Sequence, residues 1–375
     1  FGGAIYKFDG GTTFTAVSGG TMDMAAAVSF TTAADNIEFA TAGIALANGA
    51  NLTIDTAAGA GNITVGGAIT GDSTETVTID AGTGTASVAA IGSSTQIGVL
   101  SIGSAENGGI TLNGAIVTDG AVVIDGPVTL ATGAVSVTTA NDAITFNHSI
   151  DGGQALTLVA GTAATAIQGE IGGSTAISSL TITNGTANGT IEIANIGGVT
   201  GATAIGNTNT ATITLDGTAY TTTGTQTYTA AAGQNIDITG AATFTTTNSN
   251  IGFATAGVDL ANNGTTTINT GAGAGTVTFG AAIETNGGDN DLLVVTSGTG
   301  NVTFTGAIGA TNELGGLSVN ASSGDGDITF TSTIGDADNA GVIGTTAVGN
   351  STTADMDFGG AIYKFDGGTT FTAVS

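Results

Sequence analysis

The sequence lacks cysteine, tryptophan and arginine, and its 375 residues include one proline, one histidine and only two lysines. Without cysteine there is no disulfide framework, which agrees with a protein that is exported through membranes in an unfolded state. The 29 acidic residues give a formal net charge of −27, which excludes nucleic acid as a natural partner because phosphate recognition needs clustered lysine and arginine. The same charge disfavours an anionic membrane surface. No apolar run approaches the length of a transmembrane helix, so we expect no membrane insertion.

The residues that dominate the sequence indicate β-structure. Glycine (65 residues), threonine, alanine, asparagine and valine are abundant, whereas the helix formers glutamate, lysine, glutamine and arginine are scarce. An apolar fraction of 41%, rich in β-branched residues, is too high for a disordered glycine- or serine-rich tract. We therefore predict an all-β chain with many tight turns.

Two nested repeats organise the chain. FGGAIYKFDGGTTFTAVS occupies 1–18 and recurs letter for letter at 358–375, which gives a period of 357 residues. A second, diverged period of 214 residues aligns LDGTAYTTTGTQTYTAAA, at 215–232, with the segment at 1–18. The predicted organisation is a long half, 1–214, a short half, 215–357, and the start of the next repeat at 358–375. We expect the chain to be a window of a longer tandem array.

A finer rhythm of apolar triplets predicts a β-solenoid. Triplets recur about every 22–25 residues, a second triplet follows many of them, and apolar residues alternate with polar ones. Three short strands per cycle, separated by Gly, Asn and Asp, are typical of one solenoid coil, which buries its inward face by stacking on the next. The stretch 122–156 does not keep the rhythm, so we expect an irregular or extended coil there. The alternative fold is a string of tandem immunoglobulin-like β-sandwiches, with a period of about 80–100 residues. The first triplets of the cycles are LTI (52–54), VTI (77–79), LSI (100–102), VVI (122–124), LTL (156–158), LTI (180–182), LVV (293–295) and LSV (317–319).

Runs such as FATAGIALANGANLTIDTAAGAGNITVGGAI and GAVVIDGPVTLATGAVSVTT resemble the giant β-strand-repeat, filamentous-haemagglutinin-like surface proteins of environmental bacteria. The resemblance covers essentially the whole chain. It implies export, an extracellular or cell-surface location, a right-handed parallel β-helix, and a role in adhesion, surface coats or fibres. The chain lacks the secretion domain of that family and any Arg-Gly-Asp tripeptide, so no receptor can be carried over. Cell-surface glycans are a candidate partner.

Catalytic residues are scarce. Right-handed β-helices also serve as polysaccharide lyases and hydrolases, whose sites pair carboxylates with Arg, Lys or His. Here the only histidine, His148, has Asp151 as its one acidic neighbour in sequence. We interpret His148 as a polar residue at a coil corner and predict that the protein is not an enzyme.

Alternating aspartates suggest calcium as a candidate ligand. Three glycine-rich segments, GDNDLL, SGDGDITF and IGDADN, each carry two aspartates two residues apart, and a hard cation needs several oxygen ligands from such turns. The nine-residue Gly-Asp repeat of calcium-binding β-rolls is absent. The alternative is that these acids lie on solvated turns and keep the chain soluble, and we expect no other cofactor. The candidate calcium ligands are Asp289, Asp291, Asp325, Asp327, Asp336 and Asp338.

The repeated segment 1–18 is the most aromatic part of the unit and contains its only basic residue. Tyr6, Lys7, Phe8 and Phe14 are therefore the candidate interface residues, with core packing as the alternative for the aromatic rings and a weak salt bridge to a local acid for Lys7.

We therefore expect a structural, non-enzymatic tandem-repeat protein that builds an extracellular fibre, filament or surface coat by stacking its coils. Its partner would be itself, end to end or laterally, because the end coils of a solenoid expose unpaired strand edges. The alternatives are the stalk of a giant cell-surface adhesin whose recognition domain lies outside this chain and, for contrast, an exported polysaccharide-acting enzyme.

Overall fold

The computed structural model describes residues 1–17, 19–104, 108–185, 189–260, 264–286, 291–320, 323–338 and 340–374. The described chain is all-β and has no helix, so it also has no helix that could span a membrane. Its strands form parallel sheets stacked as a β-solenoid of about 15 turns, with successive turns about 24 residues apart. The predicted solenoid is confirmed, and the parallel pairing excludes the immunoglobulin-like alternative. The right-handed sense stays a prediction.

The chain divides into two compact units. The first consists of Phe1–Ser178 and Ile182–Gly189, and the second of Ser179–Thr181 and Thr190–Ser375. This division follows contacts within the fold, so the repeat boundary predicted after residue 214 stays a prediction. The strands of the first unit, up to the one in which the division falls, are β1 (Ile5–Phe8), β2 (Thr12–Phe14), β3 (Thr21–Met24), β4 (Val28–Thr32), β5 (Ile37–Phe39), β6 (Gly43–Leu46), β7 (Leu52–Asp55), β8 (Ile63–Val65), β9 (Ile69–Thr70), β10 (Thr76–Asp80), β11 (Ala86–Val88), β12 (Val99–Gly103), β13 (Ile110–Leu112), β14 (Ile116–Thr118), β15 (Val122–Asp125), β16 (Val128–Leu130), β17 (Val135–Thr139), β18 (Ile144–Phe146), β19 (Ile150–Asp151), β20 (Ala155–Val159), β21 (Thr165–Ile171) and β22 (Ser179–Thr183). The strands of the second unit are β23 (Ile191–Val199), β24 (Thr203–Ile205), β25 (Thr212–Leu215), β26 (Ala219–Thr222), β27 (Gln226–Thr229), β28 (Asn235–Ile238), β29 (Ala242–Thr245), β30 (Ile251–Ala254), β31 (Gly257–Leu260), β32 (Thr265–Asn269), β33 (Val277–Phe279), β34 (Ile283–Thr285), β35 (Leu292–Thr296), β36 (Val302–Phe304), β37 (Gly316–Val319), β38 (Ile328–Phe330), β39 (Thr346–Val348), β40 (Met356–Phe358) and β41 (Thr369–Phe371).

Strict alternation of side chains produces the core of the first unit. In β8 the side chains of Ile63 and Val65 are buried, whereas Thr64 between them is partly exposed, as a strand with one inward face requires. Parallel pairing then places like residues over like in successive turns. One such inward column consists of Val28, Leu52, Val77, Leu100, Val122 and Ile144.

An aromatic ladder fills one column of the second unit. Its rings stack face to face in neighbouring turns, with centroid distances of 4.9–5.4 Å and interplanar angles of 4–14°. Stacking of this kind adds about 0.5–1.5 kcal/mol per pair beyond the burial of apolar area. The six rings of the ladder are Tyr228, Phe253, Phe279, Phe304, Phe330 and Phe358.

Corner asparagines connect successive turns. The side-chain oxygen of Asn36 accepts a hydrogen bond from the backbone N–H of Asn62 at 2.8 Å, and that of Asn62 accepts one from the backbone N–H of Thr85 at 2.9 Å. Asn250 accepts in the same way from the backbone N–H of Thr276 at 2.9 Å. These side chains satisfy backbone donors where the strands end, which explains the high asparagine content.

The expected irregular coil at 122–156 is wrong. β15 pairs with β18 and β17 with β20 in regular parallel register. The column of LSI (100–102) continues through VVI (122–124) to ITF (144–146), in steps of 22 residues. LTL (156–158) belongs to a different column, because it stacks on Val135–Val137. One step in a neighbouring column is short, since Ile110 pairs with Val128, only 18 residues later.

Candidate assembly interface

Three coils carry the repeated segment or its diverged relative. We call them the N-terminal copy (residues 1–17), the C-terminal copy (residues 358–374) and the internal copy (residues 215–232). Their sequences are related but their neighbouring turns differ, so comparing them shows how the neighbouring turns affect the packing and exposure of the coil.

Aromatic rings of the N-terminal copy cover the turn that follows it. Tyr6 on β1 stacks on Phe30 with ring centroids 5.4 Å apart, and Phe14 on β2 stacks on Phe39 at 4.8 Å. Phe30 and Phe39 themselves meet edge to face at 5.3 Å. The four rings form one interlocked cluster, so the copy fits this turn through particular ring positions.

The C-terminal copy keeps the same internal ring geometry but covers the turn that precedes it. Phe358 meets Tyr363 edge-on at 5.1 Å and Phe371 edge-on at 5.3 Å, and the equivalent rings of the N-terminal copy meet at 5.1 and 5.9 Å. The ring of Phe358 also stacks on that of Phe330, one turn earlier, at 5.4 Å.

The two identical copies therefore use opposite edges of the same strands. In the N-terminal copy, β1 pairs with β4 and β2 with β5, both in the following turn. In the C-terminal copy, β41 pairs with β39, and Tyr363 forms a bridge with Ile334, both in the preceding turn. Each copy leaves uncovered the side that the other copy uses. The large apolar residues exposed on the two copies include Phe1 (40%), Ile5 (67%), Phe358 (38%) and Phe371 (41%).

The internal copy has both sides covered. Tyr220 stacks on Phe244 at 4.7 Å and Tyr228 on Phe253 at 5.2 Å, which reproduces the four-ring cluster 214 residues further along the chain. Tyr220 and Tyr228 are fully buried, whereas Tyr6 in the N-terminal copy is only half-buried. A coil of this sequence type thus packs between two turns at once.

The tyrosine hydroxyl contacts the preceding turn. In the internal copy the hydroxyl of Tyr220 accepts a hydrogen bond from the backbone N–H of Gly217 at 2.9 Å and donates one to the carbonyl of Ile193 at 3.2 Å. In the C-terminal copy the hydroxyl of Tyr363 accepts from the backbone N–H of Gly360 at 2.5 Å. A Cβ on Gly217 would lie 1.3 Å from a backbone oxygen of the preceding turn, so only glycine fits there.

A buried amide completes the internal copy. Gln226 donates through Nε2 to the carbonyls of Tyr220 at 2.8 Å and Thr245 at 2.9 Å, and its Oε1 accepts from the hydroxyl of Tyr228 at 3.0 Å. Burial raises the pKa values of both tyrosines, which keeps the hydroxyls protonated as donors. The terminal copies have threonine at this position (Thr12 and Thr369), so they cannot form this network.

The structure places the four predicted interface residues in two groups. Tyr6, Phe8 and Phe14 are half-buried and belong to the aromatic cluster, while Lys7 is exposed. Within the described chain, no ion pair connects Lys7 with Asp9. The equivalent lysine of the C-terminal copy, Lys364, donates through Nζ to the carbonyl of Ala337 at 3.2 Å.

The candidate calcium ligands are in different environments. Asp289 lies outside the described residues, and Asp291 is buried (3% exposed), where its Oδ1 accepts from the backbone N–H of Gly264 at 2.9 Å. Asp327 pairs with the side chain of Asn301, with Nδ2 of the asparagine 3.3 Å from Oδ2. Asp325 and Asp338 are exposed, and Asp336 is partly exposed, its Oδ1 accepting from the backbone N–H of Asp338 at 2.7 Å. The described residues contain no group of three or more His, Cys, Asp or Glu residues arranged to hold a metal ion. Calcium binding stays a prediction.

Sequence reasoning missed a buried carboxylate in the first unit. Glu75 is fully buried and accepts hydrogen bonds from the backbone N–H groups of Asp72 at 2.7 Å, Thr74 at 3.3 Å and Gly49 at 3.2 Å, and from the Thr74 hydroxyl at 3.0 Å. Burial alone would raise the pKa of Glu75, but these hydrogen bonds hold it below its usual value. The carboxylate therefore connects the corners of two successive turns. The only available signal was an acid in a turn, GDSTETV, which resembles a solvated loop.

Sequence reasoning also missed a column of acids in the second unit. Asp237, Asp259 and Glu284 occupy equivalent positions on β28, β31 and β34, so like charges are neighbours across the ladder. Burial raises the pKa of Asp237, and the charge of Asp259 raises it further. The Asn235 side chain donates to Asp259 at 2.7 Å.

The acidic neighbour of His148 in space differs from its acidic neighbour in sequence. Nε2 of His148 lies 3.3 Å from Oδ1 of Asp125, in the preceding turn. The same Asp125 oxygen accepts a hydrogen bond from the Asn147 side chain at 3.2 Å. Stacking of turns brings Asp125 to this corner, which the distance along the sequence conceals.

No family model, curated protein or solved structure matches this chain. The resemblance to filamentous-haemagglutinin-like surface proteins therefore stays a prediction.

Proposed function

We propose that this chain is a structural, non-enzymatic tandem-repeat protein that builds an extracellular fibre, filament or surface coat by stacking β-solenoid coils. The observation that carries the proposal is the internal copy, a coil of the repeated sequence type whose strand β26 pairs in parallel with β23 in the preceding turn and with β29 in the following turn. Coils of this sequence type can therefore stack in series, whether the neighbouring turn belongs to the same chain or to another chain. Cell-surface localisation and export rest on the sequence resemblance.

The side-chain distribution supports a role in stacking. Apolar columns run through each compact unit, and every added turn extends them while it satisfies the strand edges of its neighbour. The outward positions of the strands are mostly threonine, serine and aspartate, a surface suited to lateral packing in water or to contact with glycans. The acidic charge keeps free chains apart, because like net charge opposes non-specific association.

Electron microscopy and sedimentation of the purified chain test the proposal. We expect filaments or oligomers that grow with protein concentration and with salt, because salt screens the repulsion between chains of net charge −27. Compact single particles at every concentration and ionic strength would contradict a fibre. A turnover assay on acidic polysaccharides tests the enzymatic alternative, and we expect no product above a buffer control.

A further inference from the structure

We infer that Asn51 and Asn62 are sites at which a glycosyltransferase attaches a sugar to the side-chain amide nitrogen of the folded chain. Each begins an acceptor motif of asparagine-linked glycosylation, Asn-Leu-Thr at 51–53 and Asn-Ile-Thr at 62–64. The sugars would lie on the side of the solenoid, so their attachment goes beyond the proposed stacking of coils and does not depend on it.

The motif itself is common in this chain. A coil often places an asparagine at a corner, an apolar residue inward and a threonine outward, and this order produces the motif without any modification. The structure distinguishes the copies by the hydrogen bonds of the amide nitrogen, Nδ2. Nine Asn-x-Ser/Thr motifs occur, and the seven that begin at described residues are those of Asn51, Asn62, Asn147, Asn184, Asn301, Asn320 and Asn350.

In five of these seven asparagines, Nδ2 donates a hydrogen bond within the chain. A sugar on such a nitrogen would displace that contact. Asn184 and Asn320 are also fully buried, and their nitrogens donate to the carbonyl of Ala163 at 2.9 Å and to the hydroxyl of Ser297 at 3.1 Å. The five are Asn147, Asn184, Asn301, Asn320 and Asn350, with donor–acceptor distances of 2.5–3.3 Å.

Asn51 and Asn62 differ in both respects. Both are exposed, and their Nδ2 atoms have no hydrogen-bond partner among the described residues. Only the side-chain oxygen is used, since Oδ1 of Asn51 accepts from the backbone N–H of Thr76 at 2.8 Å and Oδ1 of Asn62 accepts from that of Thr85 at 2.9 Å. A sugar on Nδ2 leaves the amide carbonyl in place, so both hydrogen bonds between turns can remain.

The threonines of these two motifs also face solvent. Thr53 and Thr64 are partly exposed at outward positions of β7 and β8. The register partners of Thr53 in the turns on either side are Ser29 and Thr78, whose short side chains leave the outer face of the strand open. A transferase that recognises the amide together with the hydroxyl can therefore reach both groups without unfolding the coil.

The transfer needs a glycosyl diphosphate as co-substrate. C1 of the sugar forms a bond to Nδ2 while its bond to the diphosphate oxygen breaks, and the diphosphate leaves with that electron pair. Nδ2 loses one proton to a base of the transferase, so the asparagine remains a neutral amide.

Glycosylation of the purified, unmodified full-length chain tests the assignment. The folded chain and synthetic peptides of each motif are incubated with an asparagine-specific glycosyltransferase and a nucleoside diphosphate hexose, and mass spectrometry gives the occupancy of each site. Relative to the matching peptides, we expect occupancy at Asn51 and Asn62 to exceed that at Asn184 and Asn320 by about tenfold or more, because the buried sites react only after local opening. Asn36, an exposed corner asparagine outside any motif, should stay unmodified.

Substitutions separate the modification from the structural role of the asparagines. Asn51→Asp/Asn62→Asp keeps an oxygen for each corner hydrogen bond and should abolish modification while circular dichroism stays unchanged. Thr53→Ala should abolish it at Asn51, whereas Thr78→Ala, at the equivalent outward position of the next turn, should not.

The chain isolated from its source cells should carry a sugar mass on the peptides that contain Asn51 and Asn62. Absence of modification at these two sites in the folded chain would overturn the assignment. Occupancy equal to that of Asn184 and Asn320 would do so too, as would source-cell peptides with only unmodified masses. None of these results bears on filament formation, so the proposed function is tested separately.

Discussion

The buried carboxylate of Glu75 allows a quantitative prediction about stability. In Glu75→Gln, one carboxylate oxygen becomes an NH₂ group that faces hydrogen-bond donors. Each oxygen accepts two hydrogen bonds, Oε2 from the backbone N–H groups of Asp72 and Thr74, and Oε1 from the Gly49 N–H and the Thr74 hydroxyl. A buried donor left without an acceptor costs about 1–3 kcal/mol, so we expect a loss of about 2–4 kcal/mol in the free energy of unfolding at pH 7.

The effect should depend on pH in a defined direction. Because the folded pKa of Glu75 is below its usual value of 4.5, the carboxylate stabilises the fold fully above pH 4.5. This contribution disappears as the pH falls through the folded pKa, where the group becomes protonated in both states. The difference in stability between wild type and Glu75→Gln should therefore shrink as the pH falls below about 4.5.

Urea unfolding followed by circular dichroism measures the loss, and hydrogen exchange of peptides covering residues 47–76 locates it. The exposed Glu192→Gln is the control for removal of one acidic charge. Gly71→Ala provides an independent perturbation, because a Cβ there would lie 2.3 Å from Oε2 of Glu75 and should displace the carboxylate. Unchanged stability and an unchanged pH profile in Glu75→Gln would refute the reasoning.

Two further predictions concern the second unit. Phe279 is stacked between the rings of the neighbouring turns, with centroid distances of 5.2 Å on both sides. Phe279→Ala should therefore lower the free energy of unfolding by about 3–5 kcal/mol in the same urea titration, and Phe279→Leu should lower it much less. A loss below about 1 kcal/mol for the alanine variant would contradict a tightly packed ladder. Because the folded pKa of Asp237 is raised above its usual value of 3.8, its ionised form destabilises the fold at neutral pH. Asp237→Asn should therefore stabilise the protein by about 0.2–1 kcal/mol at pH 7, and this gain should vanish at acidic pH where wild-type Asp237 is protonated; a gain that persists there would point to a cause other than charge.

The fold could be predicted because the repeating geometry of a solenoid requires a repeating pattern of apolar residues in the sequence. Alternation within each triplet defines the inward face, and a recurring cycle length brings triplets into register. Even the aromatic ladder had a signal, since VTF at 302–304 and ITF at 328–330 place phenylalanine at the same position of successive cycles. The assignment of triplets to columns failed at 122–156 because LTL (156–158) has the same pattern as the first triplets of other cycles but stacks on Val135–Val137, in a different column, whereas ITF (144–146) continues the column of VVI (122–124).

The site residues were harder to predict because their properties depend on neighbours one turn away. The sequence suggests that Glu75 and Asp291 are acids on solvated turns, yet both are buried. Glu75 accepts a backbone hydrogen bond from a residue 26 positions earlier, and Asp291 accepts one from a residue 27 positions earlier. His148 finds Asp125 in the same way. A sequence pattern identifies which residues face inward. It does not identify which side chains at the corners are buried, because their burial depends on the path of the loop and on small residues such as Gly71.

Because the N-terminal and C-terminal copies have the same sequence but different neighbouring turns, they show which properties of a coil come from its own side chains and which come from its neighbours. The N-terminal and C-terminal copies have the same side chains and the same internal ring contacts, so their different exposure arises only from which neighbouring turn is present. The diverged internal copy adds the case with both neighbours present, and there the tyrosines become fully buried. Specificity for the next turn then resides in ring positions. A coil with aromatic residues at the places of Tyr6 and Phe14 matches a turn with phenylalanine at the places of Phe30 and Phe39, and a turn with aliphatic residues there would leave the same rings without stacking partners.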